Sequence, residues 1–241
     1  MWQRTQHAWE SPNLLGRTME LVVHGHSGAR LLVFPTSMGR FHEWEDRGMC
    51  QALEQQLTDG ALQLFCVASI DSLSWYDDSA YPHQKAEWHA RYDAYLRSEV
   101  VPFSLAQNGN PFLITAGASF GAFHALSFGC RYPQLVSRVL AMSGLIDITR
   151  LTHGYSDDLV YQYNPMDFVR HEHETARLEA LRRMDIILAV GRDDSLREGN
   201  EQFSRLLLER GIGNALRLWD GWAHDWPWWQ QMAQRYIGGH D

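Results

Sequence analysis

The stretch Pro111–Tyr132 constrains the fold of this chain more than any other. It begins with a short apolar and partly β-branched run, Phe112–Thr115, which is typical of a buried strand. The next residues, Gly117–Gly121, read G-A-S-F-G and lead into a small and apolar segment, Ala122–Arg131, that predicts a helix. A strand, a G-x-S-x-G turn and a helix in this order predict a sharp turn that presents the Ser119 hydroxyl above the edge of a sheet.

The residue types in this turn have a chemical reason. Glycines stand two residues before and after the serine because larger side chains would collide with the neighbouring strand or helix. The helix that follows directs free N–H groups and a partial positive charge at the serine, where an oxyanion would form. The pattern therefore indicates Ser119 as a candidate nucleophile.

Strands and helices alternate along the chain, which predicts an α/β fold with a mostly parallel central sheet and helices on both faces. The first two predicted strands, Met19–His24 and Arg30–Phe34, are separated by Gly25–Gly28, which predicts an antiparallel N-terminal hairpin. We expect a single domain over residues 1–241. The segment 145–175 has poor periodicity and many Tyr, Asp, His and Asn residues, so we expect a cap-like insertion there.

The remaining predicted elements follow the same alternation. The strands are Leu62–Ala68, Val136–Met142, Met184–Val190 and Ala215–Trp219. The helices are Met49–Leu57, His83–Leu105 with a kink or early end at Pro102, Gly199–Arg210 and Pro227–Tyr236.

A serine hydroxyl is a weak nucleophile at neutral pH and needs a base, which in turn needs an orienting acid. Of the 12 histidines, only His224 follows a late predicted strand in a glycine-bearing loop. Asp193 and Asp194 follow another late strand, and both loops fall at the carboxyl edge, where such sheets carry their sites. Asp194 lies three residues after Gly191 and is the preferred acid, with Asp193 as the alternative.

An oxyanion is bound by two backbone N–H groups. Phe120, directly after the serine, is expected to supply one of them. The other is expected from the loop Pro35–Gly39, where Ser37 is the first choice and Met38 the alternative. His124 on the elbow helix is interpreted as a core residue. Five aromatic residues are candidate walls of a substrate pocket: Trp75, Tyr76, Tyr155, Trp222 and Trp226.

Charge and composition exclude several other functions. The chain has 21 basic and 29 acidic residues, a net charge of −8 and no basic run, which argues against nucleic acid or an anionic membrane as partner. No apolar run reaches the length of a membrane span, and we expect no secretory signal. The three cysteines, Cys50, Cys66 and Cys130, predict free thiols in a cytoplasmic protein. No metal or other cofactor is expected, and a homo-oligomer is compatible with the sequence.

Several segments resemble one known family. The sequence H-D-W followed by a further Trp, after a short last strand, is a more specific mark of a protein family than G-x-S-x-G alone. The segments that carry the resemblance are Gly117–Gly121, Gly191–Asp194 with Glu198–Asn200, Leu206–Ile212 and Gly221–Trp229. Over about residues 19–237 the chain resembles the putative esterase (esterase D-like) branch of the α/β-hydrolase superfamily, which includes S-formylglutathione hydrolases, enterochelin esterases and feruloyl esterases.

The resemblance implies an α/β-hydrolase fold and a serine hydrolase that cleaves a small-molecule ester or thioester. It also implies that Ser119 is the nucleophile, His224 the base and Asp194 the acid. The substrate does not carry over, because members of this branch differ in it and because Glu43–Asp46 and Asp71–Tyr76 depart from the better-known members. The alternatives are an acyltransferase with the same triad and a non-catalytic binding module on the same fold.

Overall fold

A computed structural model describes residues 2–238 of the chain. Its strands are β1 (Arg4–Ser11), β2 (Arg17–His24), β3 (Ala29–Phe34), β4 (Leu62–Val67), β5 (Leu113–Ala118), β6 (Arg138–Met142), β7 (Asp185–Gly191) and β8 (Ala215–Trp219). Over these residues they form one eight-stranded sheet in the order β1-β2-β4-β3-β5-β6-β7-β8. β2 pairs antiparallel with β1 and β4, and all later pairs are parallel. The mostly parallel sheet predicted from the sequence is confirmed.

The N-terminal hairpin exists, but the sequence assigned it to the wrong strands. β2 does not pair with β3, because β4 lies between them and pairs with both. The hairpin is formed by β1 and β2, whose pairing runs from Arg4 opposite His24 to Ser11 opposite Arg17. β1 was not predicted because it is polar and largely exposed at the edge of the sheet, so it lacks a clear apolar alternation.

The helices lie between and beside these strands. They are α1 (Glu43–Asp46), α2 (Met49–Ala52), α3 (Glu54–Thr58), α4 (Pro82–Tyr95), α5 (Val101–Gln107), α6 (Phe120–Arg131), α7 (Asp158–Tyr163), α8 (Pro165–Phe168), α9 (Thr175–Arg183), α10 (Arg197–Glu209) and α11 (Trp226–Tyr236). None of the helices within residues 2–238 combines the length and apolar character that crossing a bilayer requires.

Two apolar layers cover the two faces of the sheet. Because side chains alternate along a strand, Leu32 and Phe34 of β3 face one layer while Leu31 and Val33 face the other. The first layer is completed by α4, α6 and α10, and the second by α1, α2, α3 and α11. The helices on both faces that the alternation predicted are therefore present.

The long helix predicted over His83–Leu105 is interrupted before its proline. α4 passes into a π turn at Leu96–Val100 and then into α5, which contains Pro102. Proline has no N–H to donate to the carbonyl one turn earlier, and a wider π turn accommodates that gap without ending the helix. The helix therefore continues to Gln107 rather than ending early.

The segment 145–175 connects β6 to the start of α9, which leads into β7. It contains a 3₁₀ turn at Ile148–Leu151 followed by α7 and α8, and α7 packs against α4. The N-terminus of α7 is capped by Asp157, whose carboxylate accepts hydrogen bonds from the N–H groups of Leu159 and Val160.

All three cysteines are buried free thiols, and burial raises the pKa of Cys50 and Cys130 to about 12.

Candidate active site

The candidate nucleophile lies in a strained turn between β5 and α6. Ser119 has φ = 56° and ψ = −116°, a backbone conformation that costs a non-glycine residue energy. A Cβ on Gly117 would lie 2.3 Å from the Gly121 carbonyl oxygen, and one on Gly121 would lie 2.5 Å from the Phe34 oxygen. Only glycine therefore fits at both flanking positions, as the sequence pattern required.

Three loops at the carboxyl edge bring Ser119, His224 and Asp194 together. His224 Nε2 lies 3.2 Å from Ser119 Oγ, and His224 Nδ1 lies 2.9 Å from Asp194 Oδ2. The Asp194 side chain is fully buried, and its Oδ1 accepts a hydrogen bond from the Leu196 N–H at 2.9 Å. The Asp193 side chain is exposed and makes no contact with the imidazole; its backbone N–H is donated to the Gly221 carbonyl.

The loop that carries His224 is anchored to the end of β6. Ala223 has φ = 44°, and its carbonyl oxygen accepts a hydrogen bond from the Ser143 hydroxyl at 3.1 Å. The Ser143 oxygen in turn accepts a hydrogen bond from the Trp229 indole N–H at 3.1 Å. Trp229 contacts the His224 ring edge-on and Trp222 stacks on it, with ring centroids 5.2 Å and 5.5 Å away. The imidazole is therefore held by aromatic rings on two sides.

The loop 35–39 is fixed by carboxylates on both sides of Ser37. Glu43 accepts hydrogen bonds from the Thr36 N–H at 2.7 Å and from the Thr36 hydroxyl at 2.8 Å. Asp71 Oδ2 accepts a hydrogen bond from the Met38 N–H at 2.9 Å. Within residues 2–238 the Ser37 N–H has no acceptor, so it is the donor that this part of the loop leaves available. Ser37 was the first choice from the sequence and Met38 the alternative, whereas the contacts of Glu43 and Asp71 with this loop were not predicted.

Asp71 also connects this loop to the helix that follows the serine. Its Oδ1 lies 3.1 Å from His124 Nε2, and both side chains are almost completely buried, 1% and 2% exposed. The His124 ring contacts Phe120 edge-on at 4.8 Å. The N–H of Phe120 is the first of α6, where no intrahelical acceptor is available. His124 is buried, as interpreted from the sequence, but it contacts a charged partner as well as apolar ones.

The five aromatic candidates lie in different surroundings. Tyr76 is half-buried, contacts the Phe120 ring edge-on at 4.9 Å and bonds through its hydroxyl to Ser37 Oγ at 2.8 Å. Trp222 is 56% exposed beside His224. The other three have different contacts: Trp75 is buried in a cluster with Phe120 and Phe123, Trp226 packs on Trp229, and Tyr155 bonds to Asp157.

A cavity of about 420 Å³ is lined by residues of the loops that follow β6 and β7. Leu145, one of its lining residues, donates its N–H to the Ser119 carbonyl at 3.2 Å. The lining residues are Gly144, Leu145, Ile146, Asp147, Thr149, Arg150, Gly154, Ser195, Leu196, Glu198, Gly199 and Gln202. None of them was predicted from the sequence as a site residue, although several follow closely after β6 and β7, where the position at strand ends could have indicated them. In the described part of the chain no group of His, Cys, Asp and Glu side chains is arranged to hold a metal ion.

The strand order and the serine turn after β5 define the class of protein, an α/β-hydrolase fold, and solved structures agree. A ferulic acid esterase is 18% identical with a TM-score of 0.77, and the match covers 97% of this chain and 96% of that one. S-formylglutathione hydrolase FrmB from Staphylococcus aureus is 13% identical with a TM-score of 0.70 and the same coverage, 97% and 96%. An S-formylglutathione hydrolase from Agrobacterium tumefaciens is 12% identical with a TM-score of 0.73, covering 97% and 92%.

The family follows from the sequence itself. The model of the family described as "Putative esterase" matches residues 51–235. The chain therefore belongs to this esterase family, and its class of enzyme is a carboxylic ester hydrolase, as the sequence motifs predicted. No curated protein sequence is significantly similar to the chain.

Proposed function

We propose that the protein hydrolyses carboxylic esters or thioesters of small molecules through an acyl-enzyme on Ser119. The observation that carries the proposal is the continuous chain of contacts from the buried Asp194 carboxylate through His224 to the Ser119 hydroxyl, 2.9 Å and 3.2 Å long. The strained backbone of Ser119 supports the same role, because strain of this kind is retained where a side chain must be held in one orientation.

In the first half of the reaction, the Nδ1–H of His224 donates a hydrogen bond to the Asp194 carboxylate, which leaves the Nε2 lone pair facing the serine. As Ser119 Oγ bonds to the acyl carbon, its proton passes to Nε2, and the carbonyl π electrons become an oxyanion. Collapse of this intermediate breaks the bond to the alcohol or thiol, which takes the proton from Nε2. The carboxylate of Asp194 stabilises the imidazolium between these two steps.

In the second half, water replaces the alcohol or thiol. His224 accepts a proton from the water as its oxygen bonds to the acyl carbon, and then returns the proton to Ser119 Oγ as the acid leaves. The oxyanion of both halves is bound by the N–H groups of Phe120 and Ser37. Support for Ser37 comes from its neighbours, since the Met38 N–H is already bonded to Asp71 and the Thr36 N–H to Glu43.

The test is covalent labelling with a fluorophosphonate, which reports an activated serine without requiring the natural substrate. We expect wild-type protein to be labelled and Ser119→Ala and His224→Ala to be unlabelled. Ser98→Ala and His26→Ala are matched controls, because both positions are exposed and lie outside the contacts described above. A panel of short acyl esters and thioesters then measures turnover with the same five proteins.

The outcomes separate the possibilities. Labelling and hydrolysis that depend on Ser119 and His224, and on neither control, support the proposal. Labelling that persists in Ser119→Ala would contradict it, as would a folded wild-type protein that neither labels nor hydrolyses any ester or thioester of the panel. A folded wild-type protein without labelling or hydrolysis would instead support a non-catalytic binding function.

A further inference from the structure

Among the described residues that line the cavity next to the serine turn, one is a cation, Arg150. Arg150 lies on the 3₁₀ turn Ile148–Leu151, lines the cavity and is exposed. Within residues 2–238 its guanidinium takes part in no hydrogen bond and no ion pair. An exposed arginine on a convex surface needs no partner, but one on a cavity wall faces whatever enters the cavity.

Arg150 is also close to the groups that surround the oxyanion position. Burial raises the pKa of Tyr76, and the positive charge of Arg150 is near enough to oppose that rise. The Tyr76 hydroxyl is bonded to Ser37 Oγ. The positive charge of Arg150 therefore reaches a hydroxyl that is bonded to the loop 35–39.

Two acidic residues, Asp147 and Glu198, line the same cavity, and each already accepts hydrogen bonds from neighbouring groups. Asp147 Oδ1 accepts hydrogen bonds from the Thr149 N–H at 3.0 Å, from the Thr149 hydroxyl at 2.7 Å and from the Asn164 amide at 2.9 Å. Glu198 accepts a hydrogen bond from the Gln202 amide at 3.0 Å. Asp147 therefore caps the 3₁₀ turn that carries Arg150. Within residues 2–238 none of the five N–H donors of the Arg150 guanidinium is used in a hydrogen bond.

We infer that Arg150 binds an anionic group of the substrate, so that the preferred ester carries a carboxylate in its acyl or its alcohol part. A guanidinium suits this task because its planar N–H groups match the two oxygens of a carboxylate. The cavity of about 420 Å³ has room for such a group, and its wall meets the serine turn at Leu145, whose N–H is donated to the Ser119 carbonyl. This inference rests on the proposed function, since it deepens the description of the same site.

The experiment compares two pairs of esters that differ only in charge. The first pair is the para-nitrophenyl monoester of adipic acid and the corresponding terminal amide, which place the charge in the acyl part. The second pair is para-(butyryloxy)benzoate and para-(butyryloxy)benzamide, which place it in the alcohol part. Each is assayed with wild type, Arg150→Gln, Arg150→Lys and Arg150→Glu. Arg17→Gln, at the exposed first residue of β2, is the control for the loss of one positive charge.

In at least one pair, we expect Arg150→Gln to lower kcat/KM for the anionic ester about tenfold to a hundredfold, as for a lost hydrogen bond to a charged group. The neutral ester should change less than about twofold, Arg150→Lys should retain part of the preference, and Arg150→Glu should reverse it. Arg17→Gln should leave both esters unchanged.

Equal kcat/KM changes for charged and neutral esters in both pairs would overturn the inference and leave the proposed function intact. An Arg150→Glu protein that still prefers the anionic ester would overturn it as well. If wild type hydrolyses none of the four esters and is not labelled by the fluorophosphonate, the proposed function fails, and the inference fails with it. The labelling result therefore distinguishes the two failures.

Discussion

Asp71 accepts a hydrogen bond from the backbone N–H of Met38 at 2.9 Å, and this contact fixes the loop 35–39 on the side of Ser37 opposite to Glu43. The carboxylate is 1% exposed and its other oxygen lies 3.1 Å from His124 Nε2 on the helix behind the serine. The two walls of the proposed oxyanion site are therefore joined through a single buried acid. Breaking a buried charged contact of this kind leaves its partners unsatisfied, so the consequences should be large.

We expect Asp71→Asn to lower kcat about tenfold to a hundredfold with little change in KM, because displacing one donor of an oxyanion site weakens binding of the transition state more than of the substrate. Steady-state kinetics with a para-nitrophenyl ester measure this split. Asp77→Asn is the matched control, since Asp77 lies on the same loop and bonds only to the exposed Ser79 and its own turn. Equal effects of the two variants, or an effect on KM alone, would contradict the positioning role.

The two adjacent acids after β7 should differ sharply in their effect. Asp194→Asn keeps the shape of the side chain but no longer stabilises the imidazolium or fixes its tautomer, so we expect kcat to fall by about 10⁴-fold. Asp193→Asn should stay within about twofold of wild type, because that side chain is exposed and does not contact His224. Thermal unfolding of both variants checks that the fold is intact. A large loss in Asp193→Asn with normal activity in Asp194→Asn would contradict the assignment of the acid.

The glycines of the serine turn should tolerate no side chain. We expect Gly117→Ala to lower the free energy of unfolding by more than about 2 kcal/mol, because its Cβ would meet the Gly121 carbonyl carbon and oxygen at 2.3 Å. Gly109→Ala, with nothing within 4 Å of its Cβ, is the control and should stay within about 0.5 kcal/mol of wild type. Urea unfolding gives both values. A Gly117→Ala protein of wild-type stability would show that the turn relaxes more easily than its contacts imply.

Stability should fall as the pH is lowered, in part through His89. Burial, followed by the nearby charges of His124 and Arg131, lowers the pKa of His89 well below its usual value. In the unfolded chain this histidine binds a proton below about pH 6.5, and in the folded protein it does not. The free energy of unfolding therefore decreases as the pH falls through that value, by up to about 1.4 kcal/mol per pH unit for this one group.

His89→Gln isolates that contribution. Urea unfolding at several pH values between about 5 and 7.5 should give a shallower pH dependence for His89→Gln than for wild type, whatever the absolute stability of the variant. The exposed His26→Gln is the control and should keep the wild-type slope. Identical slopes for all three proteins would mean that His89 binds its proton equally in the folded and unfolded states.

The sequence determined the features that depend on neighbours along the chain. The strand, turn and helix around Ser119 could be predicted because the steric requirement of the turn appears as glycines at fixed positions. The late strands β7 and β8 were apolar and separated by polar loops, so His224 and Asp194 could be selected from their positions at strand ends. The parallel sheet could be predicted as well, because a chain of alternating strands and helices can form few other arrangements.

Only the tertiary structure decided which distant segments meet. The order of β2, β4 and β3 depends on pairing between strands far apart in sequence, so the turn Gly25–Gly28 suggested a hairpin that does not form. The contacts of Asp71 with Met38 and His124, and the position of Arg150 on the cavity wall, join loops that no local pattern connects. The physical reason is that a turn or a helix is fixed by bonds within a few residues, whereas loop–loop contacts are fixed by how the whole sheet twists and packs.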